Sequence, residues 1–121
     1  MRHGFLFIDK PRGPSSHGVV ADVRRILGES AIGHLGTLDP LATGLLVLAV
    51  GRKALKVIEF FSGLTKEYKA EVTLGKVSTT YDAEGLIEDT AVRAGWVPPE
   101  DASTLHTLLR ERFLGKVEQV P

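Results

Sequence analysis

Six consecutive apolar residues, "LLVLAV" at 45–50, stand between Gly44 and Gly51. A membrane-spanning helix needs about 20 such residues, and a buried helix about 10 or more, so the run suits a strand covered on both faces. A strand of that kind cannot stand alone, and the remaining residues must supply its partners and its cover. At 121 residues and 43% hydrophobic composition the chain is long enough for one compact domain with a core, though not for two.

The flanking segments read as those partners. "GFLFID" (4–9) is a short apolar run ended by "KPRGP", the pattern of a strand followed by a turn. "SSHGVVADVRRILG" offers Ser15 and Ser16 as helix N-caps, Val19, Val20, Val23, Ile26 and Leu27 at helical spacing, and Gly28 as a stop. "RKALKVIEFFSG" predicts an amphipathic helix with Leu55, Val57, Ile58 and Phe61 inward and Lys53 and Lys56 outward. In "EYKAEVTLG", Tyr68, Ala70, Val72 and Leu74 alternate with polar residues, which predicts a half-buried strand. "KVSTTYDAEG" reads as a polar loop and "LIED" as a short strand. The spacing of Leu105, Leu108, Leu109 and Phe113 after two prolines predicts a helix over 99–113. No repeat or low-complexity segment interrupts this order, and the class is α+β.

Composition excludes some chemistry. Without cysteine there is no disulfide framework and no thiolate nucleophile. His3, His17, His34 and His106 alone make a zinc site improbable, and no metal is expected. Only four consecutive apolar residues precede Asp9 and Lys10, too few for a signal-peptide core, so the expected compartment is the cytoplasm, with no membrane partner. The net charge of zero hides an asymmetry: residues 1–69 hold ten Lys/Arg against six Asp/Glu (+4), and residues 70–121 hold five against nine (−4). The basic half is either a solvated surface or a face for a polyanion.

The stretch "GHLGTLDPLATG" (33–44) places one acid, Asp39, among three glycines, two threonines and a proline. Pro40 biases Asp39 toward extended backbone, and Gly33, Gly36 and Gly44 permit tight paths and the close approach of a large ligand. Two readings of Asp39 stand side by side. It is a turn former whose side chain bonds its own backbone, or it is a nucleophile, since an ionised carboxylate needs no activating base to attack a sugar carbon.

The same residues resemble a family. "GFLFIDKPRGPSSHGVV" is similar to the first motif, "GHLGTLDPLATGLLVLAVG" to the second and "KEYKAEVTLG" to the short third block of the bacterial tRNA pseudouridine synthases of the TruB kind, which convert one uridine in the T-arm loop. "TTYDAEG" and the closing "FLGKVEQVP" resemble family segments too, so the likeness extends over essentially the whole chain. It implies a pseudouridine synthase catalytic-domain fold, with a mixed, mainly antiparallel sheet and flanking helices. It also implies an isomerisation in which uracil is detached at N1 and rejoined to ribose through C5, a reaction needing no cofactor. Asp39 occupies the position of the catalytic residue.

Further roles follow from the resemblance alone. Tyr68 matches a tyrosine that stacks on the flipped base, where its own spacing would make it a core residue. His34 matches a histidine inserted among the loop bases. Lys10 matches the first motif, where support near the pocket is expected. Gly36, Thr37 and Asp82 complete the expected substrate and RNA contacts, and Arg24, Arg25, Arg52, Lys53, Lys66 and Lys69 are candidates for phosphate. Family members continue into a further motif, whose arginine pairs with the aspartate, and commonly into an RNA-binding domain. Residues 1–121 are therefore expected to form the N-terminal part of a catalytic domain and to be inactive alone. Two alternatives are a non-catalytic RNA-binding or RNA-folding fragment and a member of the guide-RNA-dependent branch.

Overall fold

The computed structural model describes residues 2–90, 97 and 99–118. They form two compact units, Met1–Ala70 and Glu71–Pro121.

In the first unit the apolar run becomes the middle strand of a three-stranded antiparallel sheet. Strands β1 (Gly4–Lys10), β2 (Ile32–Leu35) and β3 (Gly44–Val50) lie in the order β1-β3-β2. The register pairs Phe5 with Ala49, Phe7 with Val47 and Asp9 with Leu45 on one side of β3, and Gly33 with Ala49 and His34 with Leu48 on the other. One face carries Leu46, Leu48, Val50 and Ile32, all buried, against Val19 and Val20 of helix α1 (Ser16–Leu27), with Leu6, Ile8, Val23, Leu27 and Leu38 around them. Burying a side chain such as Leu48, at 0% exposure, is worth about 1.5–3 kcal/mol.

The opposite face is covered at one end only. Helix α2 (Gly51–Val57) runs into a 3-10 turn, Ile58–Phe61, and the Phe5 and Phe61 rings meet with centroids 5.0 Å apart. Leu55 of α2 presses so closely on β2 that a Cβ at Gly33 would stand 2.9 Å from its Cδ2, which explains the glycine. Beyond that cover, Phe7 is exposed and Leu45 is 66% exposed. The expected two-sided burial therefore holds at Leu48–Val50 and fails where β3 begins.

Local chemistry accounts for α1. Ser15 caps it, its hydroxyl accepting from the Gly18 N–H at 3.0 Å. Gly28 ends it in the left-handed region at φ 61, with its N–H on the Arg24 carbonyl. Arg24 then reaches the Ile32 carbonyl at 2.7 Å and ties the helix end to β2. Residues 32–35, to which the sequence pattern assigned no element, pair with β3 as β2, and one expectation needs correction here. The buried residues of α2 are Gly51 and Ala54, while Val57 and Phe61, expected to point inward, are exposed; Phe61 lies in the 3-10 turn, whose angular period differs from that of the α-helix.

The second unit holds a hairpin of β4 (Lys76–Ser78) and β5 (Ile87–Asp89) and a helix, α3 (Ala102–Phe113). Part of the polar loop is thus a strand, closed by a Lys76–Asp89 ion pair of 2.6 Å. Helix α3 starts at Ala102 rather than 99, since Asp101 takes the cap and Pro99 stays outside. Its apolar stripe, Leu105, Leu108, Leu109 and Phe113, is exposed: amphipathic spacing marks a face but supplies no layer to cover it. The alternating segment 67–75 forms no strand among the described residues. Alternation selects a face, whereas a strand also needs a neighbour for its N–H and C=O groups. All described pairings are antiparallel, within the expected α+β class.

Candidate active site

The glycine-rich segment leaves β2 at Leu35 and enters β3 at Gly44, and residues 36–43 form the connection. Gly36 turns the chain at φ 77, a conformation that side chains with a Cβ resist. Pro40 then sits in a tight turn closed by the Ala42 N–H on the Asp39 carbonyl at 3.0 Å.

Three residues from outside the loop hold it. The Ser16 hydroxyl accepts from the Leu38 N–H at 2.9 Å and donates to the Leu38 carbonyl at 2.8 Å. The Gly13 N–H donates to the Pro40 carbonyl at 2.8 Å. The Lys10 ammonium donates to the carbonyls of Pro11 at 2.9 Å, Pro40 at 3.2 Å and Ala42 at 2.8 Å. Asp39 thus lies between two residues whose backbones are fixed, Leu38 and Pro40. Its own side chain is exposed, and no hydrogen bond reaches its carboxylate among the described residues. The two readings of Asp39 therefore separate: its backbone makes the turn, while its carboxylate is presented outward.

Lys10 is 0% exposed, with all three hydrogens engaged by carbonyls. A direct RNA contact would need it on the surface, so the expectation of support near the pocket describes its surroundings and a contact to RNA does not. His34, at the site end of β2, bonds the Gly36 carbonyl through Nδ1 at 2.6 Å, which makes Nδ1 the donor and leaves Nε2 for a second partner. Its ring stands edge-on to that of His17, centroids 5.2 Å apart at 81°. Thr37 and Gly36 are exposed on the loop beside Asp39.

Tyr68 is 70% exposed in the segment after the 3-10 turn, and it is not the core residue its alternation predicted. Asp82 belongs to the second unit. Its carboxylate accepts from the Thr80 hydroxyl at 2.5 Å and the Glu84 N–H at 2.9 Å, and the Thr80 bond, then the Glu84 bond, holds its pKa below the ordinary carboxylate value. Those bonds fix the hairpin tip, where Tyr81 takes φ 61. The first unit therefore gathers Asp39, His34, Gly36, Thr37 and the buried Lys10 at one end of its sheet.

Sequence reasoning missed Ser16 and His17. Ser16 entered only as a possible cap, and His17 only as one histidine of four. The signal for Ser16 was the doubled serine itself, because one hydroxyl is enough to cap a helix.

The matched family model is the TruB family pseudouridylate synthase (N terminal domain), over residues 24–121. Among curated proteins, the chain is 45% identical over 118 residues to tRNA pseudouridine synthase B of Rhodococcus jostii (98% of this chain, 37% of that protein). It is 46% identical over 118 residues to the protein of that name from Mycobacterium leprae (98% and 35%). It is also 40% identical over 119 residues to that from Syntrophotalea carbinolica (98% and 37%). The chain thus spans 35–37% of the length of these relatives. A solved structure described as an H/ACA RNP bound to a substrate RNA containing 2'-deoxyuridine is similar at a TM-score of 0.45 and 45% identity, over 48% of this chain and 18% of that one. On the matched family model and these identities, the chain belongs to the TruB family of pseudouridylate synthases.

Proposed function

We infer that these residues form the N-terminal part of a catalytic domain that isomerises a uridine to pseudouridine in the T-arm loop of tRNA, in the cytoplasm. The observation that carries this reading is the Asp39 carboxylate, exposed on a turn whose flanking residues, Leu38 and Pro40, are each held by a buried donor, Ser16 and Lys10. Support also comes from relatives named tRNA pseudouridine synthase B.

The chemistry suits such a group. In the proposed path the carboxylate attacks ribose C1′ as the bond from C1′ to N1 breaks. The uracil turns, C5 bonds to C1′ as the carboxylate leaves, and the C5 proton is lost while N1 regains one. Atoms balance without water, metal or organic cofactor, and a rigid carboxylate needs no activating base. The target base lies in a folded loop and must be extruded to reach it. His34, with Nε2 uncommitted, would fill the space left in the loop, and Thr37 and Gly36 lie on the same exposed connection as Asp39. Tyr68 is the proposed stacking platform, and its exposure suits that role better than core packing. Asp82, in the second unit, is carried by the resemblance alone as an RNA contact. The basic half of the sequence supplies the attraction to phosphate.

The test is Asp39→Asn in the full-length protein, with tritium release from C5-labelled uridine in a T-arm stem-loop as the readout. Turnover should disappear while RNA affinity stays within a few-fold, as for a group acting mainly in the transition state. Turnover by the variant near the parental rate would reduce Asp39 to a turn former.

A further inference from the structure

The reaction proposed for Asp39 needs its carboxylate held to within about 0.5 Å of the productive geometry, which demands a second layer of fixed residues. We propose that Ser16 is the positioning residue that sets the direction of Asp39, an inference that rests on the functional reading above.

Ser16 opens α1, yet it takes no part in capping that helix, a task already done by Ser15 through the Gly18 N–H. Its side chain is 1% exposed. A single buried hydroxyl meets both backbone groups of Leu38, accepting from N–H at 2.9 Å and donating to C=O at 2.8 Å, as a neighbouring strand would. The Leu38 side chain is packed against the core at the same time. Leu38 is therefore held at three points.

The consequence passes to Asp39 through one peptide plane. The Leu38 carbonyl and the Asp39 N–H share a rigid planar unit, so fixing the carbonyl oxygen fixes the Asp39 nitrogen and restricts where its Cα lies. On the far side Pro40 is held by Gly13 and Lys10. If Ser16 is removed, Leu38 keeps only its side-chain packing, so one flank of Asp39 is loosened while the other remains. The carboxylate then samples several directions without the loop being lost. A misplacement on the order of 1 Å costs about 100-fold in rate.

The experiment compares Ser16→Ala, Ser16→Thr and Asp39→Asn with the parent, all in the full-length protein, under single-turnover conditions with saturating T-arm RNA. For Ser16→Ala the rate constant should fall about 10- to 100-fold, with full amplitude and with RNA affinity unchanged within about three-fold. A variant that merely unfolds in part would lose amplitude and keep its rate constant. Ser16→Thr, which keeps the hydroxyl, should recover a large part of the rate. Hydrogen exchange at the Leu38 amide reports the clamp independently of activity, and its protection should drop in Ser16→Ala and return in Ser16→Thr. A parental rate constant in Ser16→Ala beside an inactive Asp39→Asn would overturn the positioning role alone. An active Asp39→Asn would overturn the functional reading and this proposal with it. Unchanged Leu38 protection in Ser16→Ala would show that the hydroxyl does not hold the loop.

Discussion

Lys10→Met tests whether a buried ammonium holds the loop that carries Asp39. Methionine matches the length of the lysine stem and keeps its packing, so the change isolates the loss of three hydrogen bonds to the carbonyls of Pro11, Pro40 and Ala42. These do not count equally. Pro40 keeps the Gly13 N–H at 2.8 Å, so its carbonyl stays paired. Pro11 is exposed, and water can replace the ammonium there. Ala42 is half-buried and loses the shortest of the three bonds, 2.8 Å. An orphaned buried carbonyl costs about 1–3 kcal/mol, and a lost bond to a charged donor about 1.5–3 kcal/mol. Relief from dehydrating an ammonium offsets part of the sum. The expected loss is about 2–4 kcal/mol. With a urea dependence of about 2 kcal/mol per molar, the denaturation midpoint of the full-length protein should fall by about 1–2 M. Hydrogen exchange at the Gly13 and Ala42 amides should accelerate in step. A midpoint shift below about 0.3 M, with both amides still protected, would refute the claim that this lysine organises the loop.

Two further outcomes follow from local geometry. Gly51→Ala should destabilise by about 1–3 kcal/mol or more, read as a drop of several degrees in melting temperature, because Gly51 adopts φ 80 and an added Cβ would collide with the Arg2 carbonyl and the His3 ring. Asp101 caps α3, and its carboxyl is held well below the usual carboxylate range by the Ser103 hydroxyl, then by the Thr104 hydroxyl and N–H. A depressed folded pKa contributes stability that is complete above the unfolded value near 4 and is lost as pH falls below it toward the folded value. Circular dichroism and the Thr104 amide resonance should show α3 weakening in acid, and Asp101→Asn should remove that dependence.

What the sequence determined by itself was everything encoded by neighbours. The Ser15 cap, the Gly28 stop and the valines between them define α1, since capping bonds and helical periodicity involve residues only a few positions apart. The glycines around 45–50 and the length of that run identified the central strand, and the acid before Pro40 marked the candidate site that the functional proposal rests on. Two of the failures share one cause. The segment 67–75 has the alternation of a strand, and α3 has an apolar stripe, but pattern says which face wants cover and nothing about what covers it. Only the tertiary structure decided that Lys10 and Ser16 converge on the Asp39 loop, across 32 and 22 residues of chain. A buried ammonium or hydroxyl must find partners in space. Here the end of β1 and the start of α1 bring both to the bare backbone of residues 38–42. A lysine expected only in general terms near the pocket and a serine that reads as a spare cap thereby become the supports of an outward-facing carboxylate.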